Sequence, residues 1–127
     1  EDFILSRDHR AFAGLSRGGV TMYHSALCES LDFFSYFGAF SGSRTSGKEL
    51  VTAIQKEEFK DYSINYLYAS AGTLDFALPS QIKDYREQIK MEDRLNSENT
   101  SFDVTPFKRH SSANWHLNLY NFLQLIF

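Results

Sequence analysis

Apolar residues in this chain fall into two kinds of stretch. Short, nearly continuous apolar runs alternate with longer segments whose apolar positions recur every three or four residues. Residues 9–14 (His-Arg-Ala-Phe-Ala-Gly) predict a first strand. After them Val20, Tyr23 and Leu27 recur at helical spacing, with Met22 and Ala26 beside them, which predicts a helix over 18–30. The aromatic run 33–40 predicts a buried strand, closed by the loop Ser41-Gly42-Ser43. Leu50, Val51, Ile54 and Phe59 give 48–59 an amphipathic helical pattern. Asn-Tyr-Leu-Tyr-Ala-Ser over 65–70 predicts a third strand, and Ala71-Gly72-Thr73-Leu74-Asp75 the loop at its end. Pro79 and Ser80 open a helix running to about Leu95, with Ile82, Tyr85 and Ile89 as its apolar stripe. Asn96 to Asn99 form a polar turn, 101–107 a fourth strand and His110-Ser111-Ser112 a loop. A closing helix over 113–127 offers Trp115, Leu119, Phe122, Leu123 and Ile126 for packing. Residues 1–5 read as the end of a preceding helix.

Strands and helices thus alternate regularly. Two parallel strands need a crossover long enough to hold a helix, so the order predicts an α/β fold with a mostly parallel sheet and flanking helices. Functional residues of such sheets gather in loops at the carboxyl ends of strands. Ser16, Asp75 and His110 each fall at such a position. No internal repeat, low-complexity tract or linker interrupts the 127 residues, which form part or all of one domain.

Composition narrows the classes. Hydrophobic residues make up 43% and aromatics 16%, enough to fill a core. Net charge is -3 and no basic cluster exceeds Lys108-Arg109-His110, which argues against a nucleic-acid surface. No apolar run is long enough to span a bilayer. The single cysteine, Cys28, offers neither a disulfide framework nor metal-ligand spacing, and its place on the apolar side of a helix fits a buried structural thiol.

The chemistry centres on Gly14-Leu15-Ser16-Arg17-Gly18, which fits the G-x-S-x-G nucleophile elbow. A serine on a sharp strand-to-helix turn leaves little room two residues before and after it, and glycine supplies that room. The alternative reading is a plain glycine-rich turn. At a helix start, the backbone N–H of Arg17 is the natural first oxyanion donor. A serine hydroxyl needs a base to take its proton and a third group to orient that base. The chain supplies Ser16, then Asp75, then His110, the order found in α/β-hydrolases. His9 lies at the wrong end of the sheet, His24 behind the elbow, and His116 inside the closing helix. Asp103, in the last strand, is the second candidate acid. Asp84, Glu87, Glu92 and Asp93 read as the solvated face of their helix, and Glu29 and Asp32 as exposed.

Three segments together resemble the esterase group of α/β-hydrolases: Ala11-Phe12-Ala13-Gly14-Leu15-Ser16-Arg17-Gly18-Gly19, Phe37-Gly38-Ala39-Phe40-Ser41-Gly42 and Gly72-Thr73-Leu74-Asp75. The branch most similar is the feruloyl and acetyl-xylan esterases of carbohydrate esterase family 1. The ending, His110 then Trp115 then Leu119-Tyr120-Asn121-Phe122-Leu123-Gln124, is similar to that family's closing histidine, tryptophan and helix. The resemblance implies Ser16 as nucleophile, Asp75 as orienting acid and His110 as general base, without metal or cofactor. It implies a secreted enzyme that releases ferulic (hydroxycinnamic) acid from acylated plant cell-wall xylan, with hydrolysis of S-formylglutathione or of siderophore esters as the alternatives within the superfamily. Trp115 is either a core residue or a substrate contact. The family has glycine before the histidine, where this chain has Lys108 and Arg109. Its domain is also about twice this length, so the chain corresponds to the C-terminal half. It would then need the N-terminal half, or a partner chain, to complete the fold. A non-enzymatic fragment that folds only by association is the reading from a different class.

Overall fold

A computed structural model describes residues 6–126. The helix end expected over 1–5 lies outside the described residues. Four parallel strands form one sheet in sequence order: β1 (Ala11–Leu15), β2 (Tyr36–Phe40), β3 (Tyr66–Gly72) and β4 (Thr100–Thr105). Four α-helices accompany them: α1 (Arg17–Thr21), α2 (Gly47–Ile54), α3 (Leu78–Met91) and α4 (Ser112–Leu123). The alternation expected from the sequence is therefore present, with shifted boundaries. His9 sits in a short 3-10 turn before β1 rather than in the strand, and Phe33 precedes β2.

The sheet carries two apolar faces of unequal cover. Side chains alternate along each strand, so Phe37, Ala39 and Leu67 point one way, and Phe40 and Tyr68 the other. On the first face they meet Met22, Tyr23, Ala26, Leu27, Leu50 and Ile54. On the second face α4 contacts β2 and β3, bringing Phe122 against Phe40 and Tyr68, with Trp115 at the edge. Gly38 makes this approach possible, since a Cβ there would lie 3.3 Å from the Phe122 ring.

The helix after Ser16 widens into a π-helical turn, Met22–Leu27, marked by the i+5 hydrogen bond from Cys28 N–H to the Tyr23 carbonyl at 3.0 Å. All four apolar residues of that turn are buried. Cys28 is only half-buried beside this core, and burial, with Glu29 and Glu49 nearby, pushes its thiol up to about 11. It stays protonated and packs as a small apolar group.

Two helices present faces that apolar spacing does not predict. On α3 the buried residues are Gln81 and Gln88, not the stripe Ile82, Tyr85 and Ile89, which is only partly buried. Their amides donate to the carbonyls of Ala39 (3.1 Å) and Thr45 (2.7 Å), anchoring the helix to the end of β2 and the loop beyond it. On α4 Asn114, Asn118 and Phe122 face inward, while Leu119 and Leu123 are 42% and 52% exposed.

The acids at and just beyond α3, expected on a solvated face, depart from it in the same way. Asp84 accepts the Thr45 N–H at 3.2 Å and Glu87 the Gly47 N–H at 3.4 Å. Glu92 is fully buried, paired with Arg94 at 2.8 Å. Only Asp93 of the four is exposed. The local contacts of the α2–α3 pair, where even a Cβ on Gly47 would collide with the Glu87 backbone, draw these carboxylates in.

Candidate active site

β1 ends at Leu15 and α1 starts at Arg17, so the whole reversal is made by Ser16. Its backbone takes φ 54°, ψ -117°, a conformation that few side chains adopt. Several contacts hold it there. Ser16 N–H donates to the Phe40 carbonyl at 2.7 Å, and its own carbonyl accepts from Gly19 N–H at 3.0 Å. A Cβ on Gly14 would collide with the Gly18 carbonyl, and one on Gly42 with the Ser16 carbonyl. Glycine is thus required at Gly14. At Gly18 the expectation of crowding is corrected, since a Cβ there meets nothing within 4 Å. The second crowded position is Gly42, at the end of the neighbouring strand.

Asp75 lies in the loop after β3. The strand runs two residues further than the sequence pattern indicates, through Ala71 and Gly72. This loop and the His110 loop are tied together. Leu74 N–H donates to the Lys108 carbonyl at 3.0 Å, and Phe107 N–H to the Thr73 hydroxyl at 2.7 Å. Gly72 passes so close to the Lys108 carbonyl that a Cβ could not fit. Before His110, Phe107 takes the left-handed conformation (φ 62°).

The three side chains meet at the carboxyl ends of their strands. Ser16 Oγ is 2.9 Å from His110 Nε2, and His110 Nδ1 is 3.0 Å from Asp75 Oδ1. With Nδ1 protonated toward the carboxylate, Nε2 is free to accept the serine proton; this tautomer is assigned from the neighbours. Asp75 Oδ1 also accepts the Ala77 N–H at 2.8 Å, and the carboxylate is buried. The imidazole is flanked by Phe76, at 4.4 Å between ring centroids, and by Trp115, edge-on at 5.0 Å. A cleft of about 670 Å³ opens beside the serine, lined by Arg17, Gly42, Arg44, Phe76 and Ser80 among others.

The remaining candidates sit elsewhere. Trp115 does not line the cleft: it stands behind His110, with its indole N–H on the Ser41 hydroxyl at 2.9 Å. Asp103 accepts from the Tyr68 hydroxyl at 2.7 Å, and burial together with this carboxylate pushes the Tyr68 phenol well above its ordinary value. His9 pairs with Ser6, His24 with the Arg44 carbonyl at 3.1 Å, and His116 is exposed on α4. Sequence reasoning did not single out Ser41, which touches the group formed by Ser16, His110 and Asp75. Its hydroxyl donates to Asp75 Oδ2 at 2.5 Å, and its backbone is left-handed (φ 62°). Among the described residues no group of three or more His, Cys, Asp or Glu could hold a metal ion.

The fold that carries this site recurs in solved structures. The feruloyl esterase module from Clostridium thermocellum, determined in complex with sinapinate, superposes with a TM-score of 0.83 over 95% of this chain, at 23% identity. This is part of an α/β-hydrolase fold. A ferulic acid esterase matches with a TM-score of 0.69 at 24% identity over 93% of the chain. The S-formylglutathione hydrolase of Staphylococcus aureus matches with 0.63 at 17% identity over 95%. The chain spans about half the length of these solved proteins, 46%, 50% and 52% respectively. No protein-family model matches it, and no curated protein matches it by sequence.

Proposed function

We propose that this chain carries the catalytic serine, acid and histidine of a serine carboxylester hydrolase. The observation that carries the reading is the unbroken run of hydrogen bonds from Ser16 Oγ through His110 to Asp75, at the mouth of a cleft. In this reading Ser16 Oγ attacks the ester carbonyl carbon as its proton passes to His110 Nε2. Asp75 holds the imidazole in register and balances the charge that it gains. The Arg17 N–H, first in α1 and so without a partner inside the helix, donates to the oxyanion. His110 then returns the proton to the leaving alcohol. A water molecule, deprotonated by the same imidazole, releases the acid and restores Ser16.

The aromatic wall supports a choice of substrate class. Phe76 is 79% exposed, lies against His110 and borders the cleft, so a flat aromatic acyl group can stack beside the reacting carbonyl. Similarity to feruloyl esterases supports the same choice. A hydroxycinnamic ester of plant cell-wall xylan is the proposed substrate, and such an enzyme works outside the cell. Among the described residues, no helix is long and apolar enough to cross a membrane.

The test uses the intact polypeptide that carries this chain. A fluorophosphonate probe should label it, and Ser16→Ala should abolish labelling. Methyl ferulate should be cleaved in preference to a long-chain aliphatic ester. Preference for S-formylglutathione would move the protein to that branch, and labelling that survives Ser16→Ala would remove Ser16 from the role.

A further inference from the structure

We infer that Ser41, backed by Trp115, is a positioning residue for the Asp75 carboxylate; the inference rests on the serine-hydrolase reading above. Asp75 holds the imidazole through Oδ1 alone, and Oδ1 is also held by the Ala77 N–H. Two donors on one oxygen leave the carboxylate free to swing about them. The Ser41 hydroxyl, on Oδ2 at 2.5 Å, supplies the third point that fixes its plane.

Donor arithmetic sets the direction of the Ser41 hydroxyl. An indole N–H can only donate, so Ser41 Oγ must accept from Trp115 at 2.9 Å. The single hydroxyl proton is then left for Asp75. The relay therefore runs one way, from Trp115 through Ser41 and Asp75 to His110. Trp115 also presses edge-on against the imidazole, bracing the base from the side away from the cleft.

The backbone is built for this contact. Ser41 follows β2 directly, and its N–H donates to the Ser70 carbonyl at 2.8 Å, tying it to β3. It is buried and sits at φ 62°, which disfavours a residue with a Cβ. Gly42 beside it packs under the Ser16 carbonyl. One short loop thus supports both the nucleophile's turn and the acid. Strain at a non-glycine residue without a functional gain is what glycine would relieve.

The experiment compares Ser41→Gly, Ser41→Ala and Trp115→Phe in the intact polypeptide, with methyl ferulate as substrate. Glycine adopts φ 62° freely, so Ser41→Gly removes the hydroxyl while relieving strain and keeps the test valid should Ser41→Ala fold poorly. Both variants should lose about tenfold in kcat with KM within about twofold, as expected for a hydrogen bond to a charged group. Trp115→Phe keeps an aromatic ring beside His110 but loses the N–H along with part of the indole, so its kcat should fall about two- to fivefold. In an Asp75→Asn background, Ser41→Gly should cost nothing further, because its effect passes through the carboxylate. Full kcat in Ser41→Gly, or an undiminished effect on top of Asp75→Asn, overturns the inference while leaving the nucleophile reading intact. A wild-type enzyme that fails to react with the fluorophosphonate overturns both.

Discussion

At the scale of single residues, the site is a set of backbone exceptions as much as a set of functional groups. Gly14 and Gly18 look equivalent in the motif but differ in the fold. Gly14→Ala places a methyl against the Gly18 carbonyl, which cannot retreat without moving α1. It should destabilise by about 3 kcal/mol, the upper range for overpacking. Gly18→Ala meets open space, and alanine favours helix over glycine by about 1 kcal/mol, so its effect should stay within that amount. Urea midpoints of the two variants decide the matter; equal losses would contradict the asymmetry. Phe76→Ala should raise KM for a hydroxycinnamic ester about threefold, with little change for acetyl esters, because one stacking face is lost. Ser16, Asp75 and His110 could be picked out as candidates because each ends or follows a strand in a readable order, and the fold brings them together. Ser41 could not, since Ser41-Gly42-Ser43 reads as an ordinary polar loop and its partners lie 34 and 74 residues away.

Among elements, the alternation was legible because strands buried on both faces need continuous apolar runs, while helices need only a stripe. Boundaries and facing were not, because tertiary hydrogen bonds overrode the stripe. On α3, Gln81 and Gln88 displace the apolar positions by bonding carbonyls of β2 and its loop. Glu92, just past that helix, is the sharper case. Burial pushes its carboxyl up, but hydrogen bonds from Arg94 and Gln55 and the Arg94 charge outweigh that, and the net shift is downward from 4.5. Arg94 in turn donates to the carbonyls of Ile54, Phe59 and Tyr62, so the pair fastens the segment after α2. A carboxyl with a depressed folded-state pKa stabilises above its ordinary value, and that contribution disappears as pH falls through the lowered one. The Tm advantage of the wild type over Glu92→Gln should therefore be largest near neutrality and shrink steadily below pH 4.5. An advantage that is constant down to strongly acidic pH would mean that the ion pair is not the source.

For the whole molecule, the unequal cover of the two sheet faces decides the argument. The helix after Ser16 and helices α2 and α3 pack on the first face, while among the described residues only α4 lies on the second. Ala13 and Leu15, which alternate toward that side on β1, are exposed, Leu15 by 47%. The outward side of α4 carries Leu117, Tyr120 and Leu123, the tyrosine 62% exposed. The two sheet edges also differ. β4 carries Thr100, Ser101, Asp103 and Thr105, a polar edge of the kind that resists pairing, whereas β1 is Ala-Phe-Ala-Gly-Leu and carries no charge. Among the described residues β1 is thus an apolar edge strand beside a partly covered apolar face, a combination that makes a pairing surface. We therefore expect the sheet to continue beyond β1, supplied by a preceding half of the domain or by a partner chain, and the second oxyanion donor to come from there. The 127 residues alone should associate in sedimentation and fail to turn over methyl ferulate. Adding the preceding half in one polypeptide should give a monomer with activity. If the isolated chain instead sediments as a monomer and turns over, β1 is a true edge, and the oxyanion hole is completed by donors already present around Ser16 and Gly42.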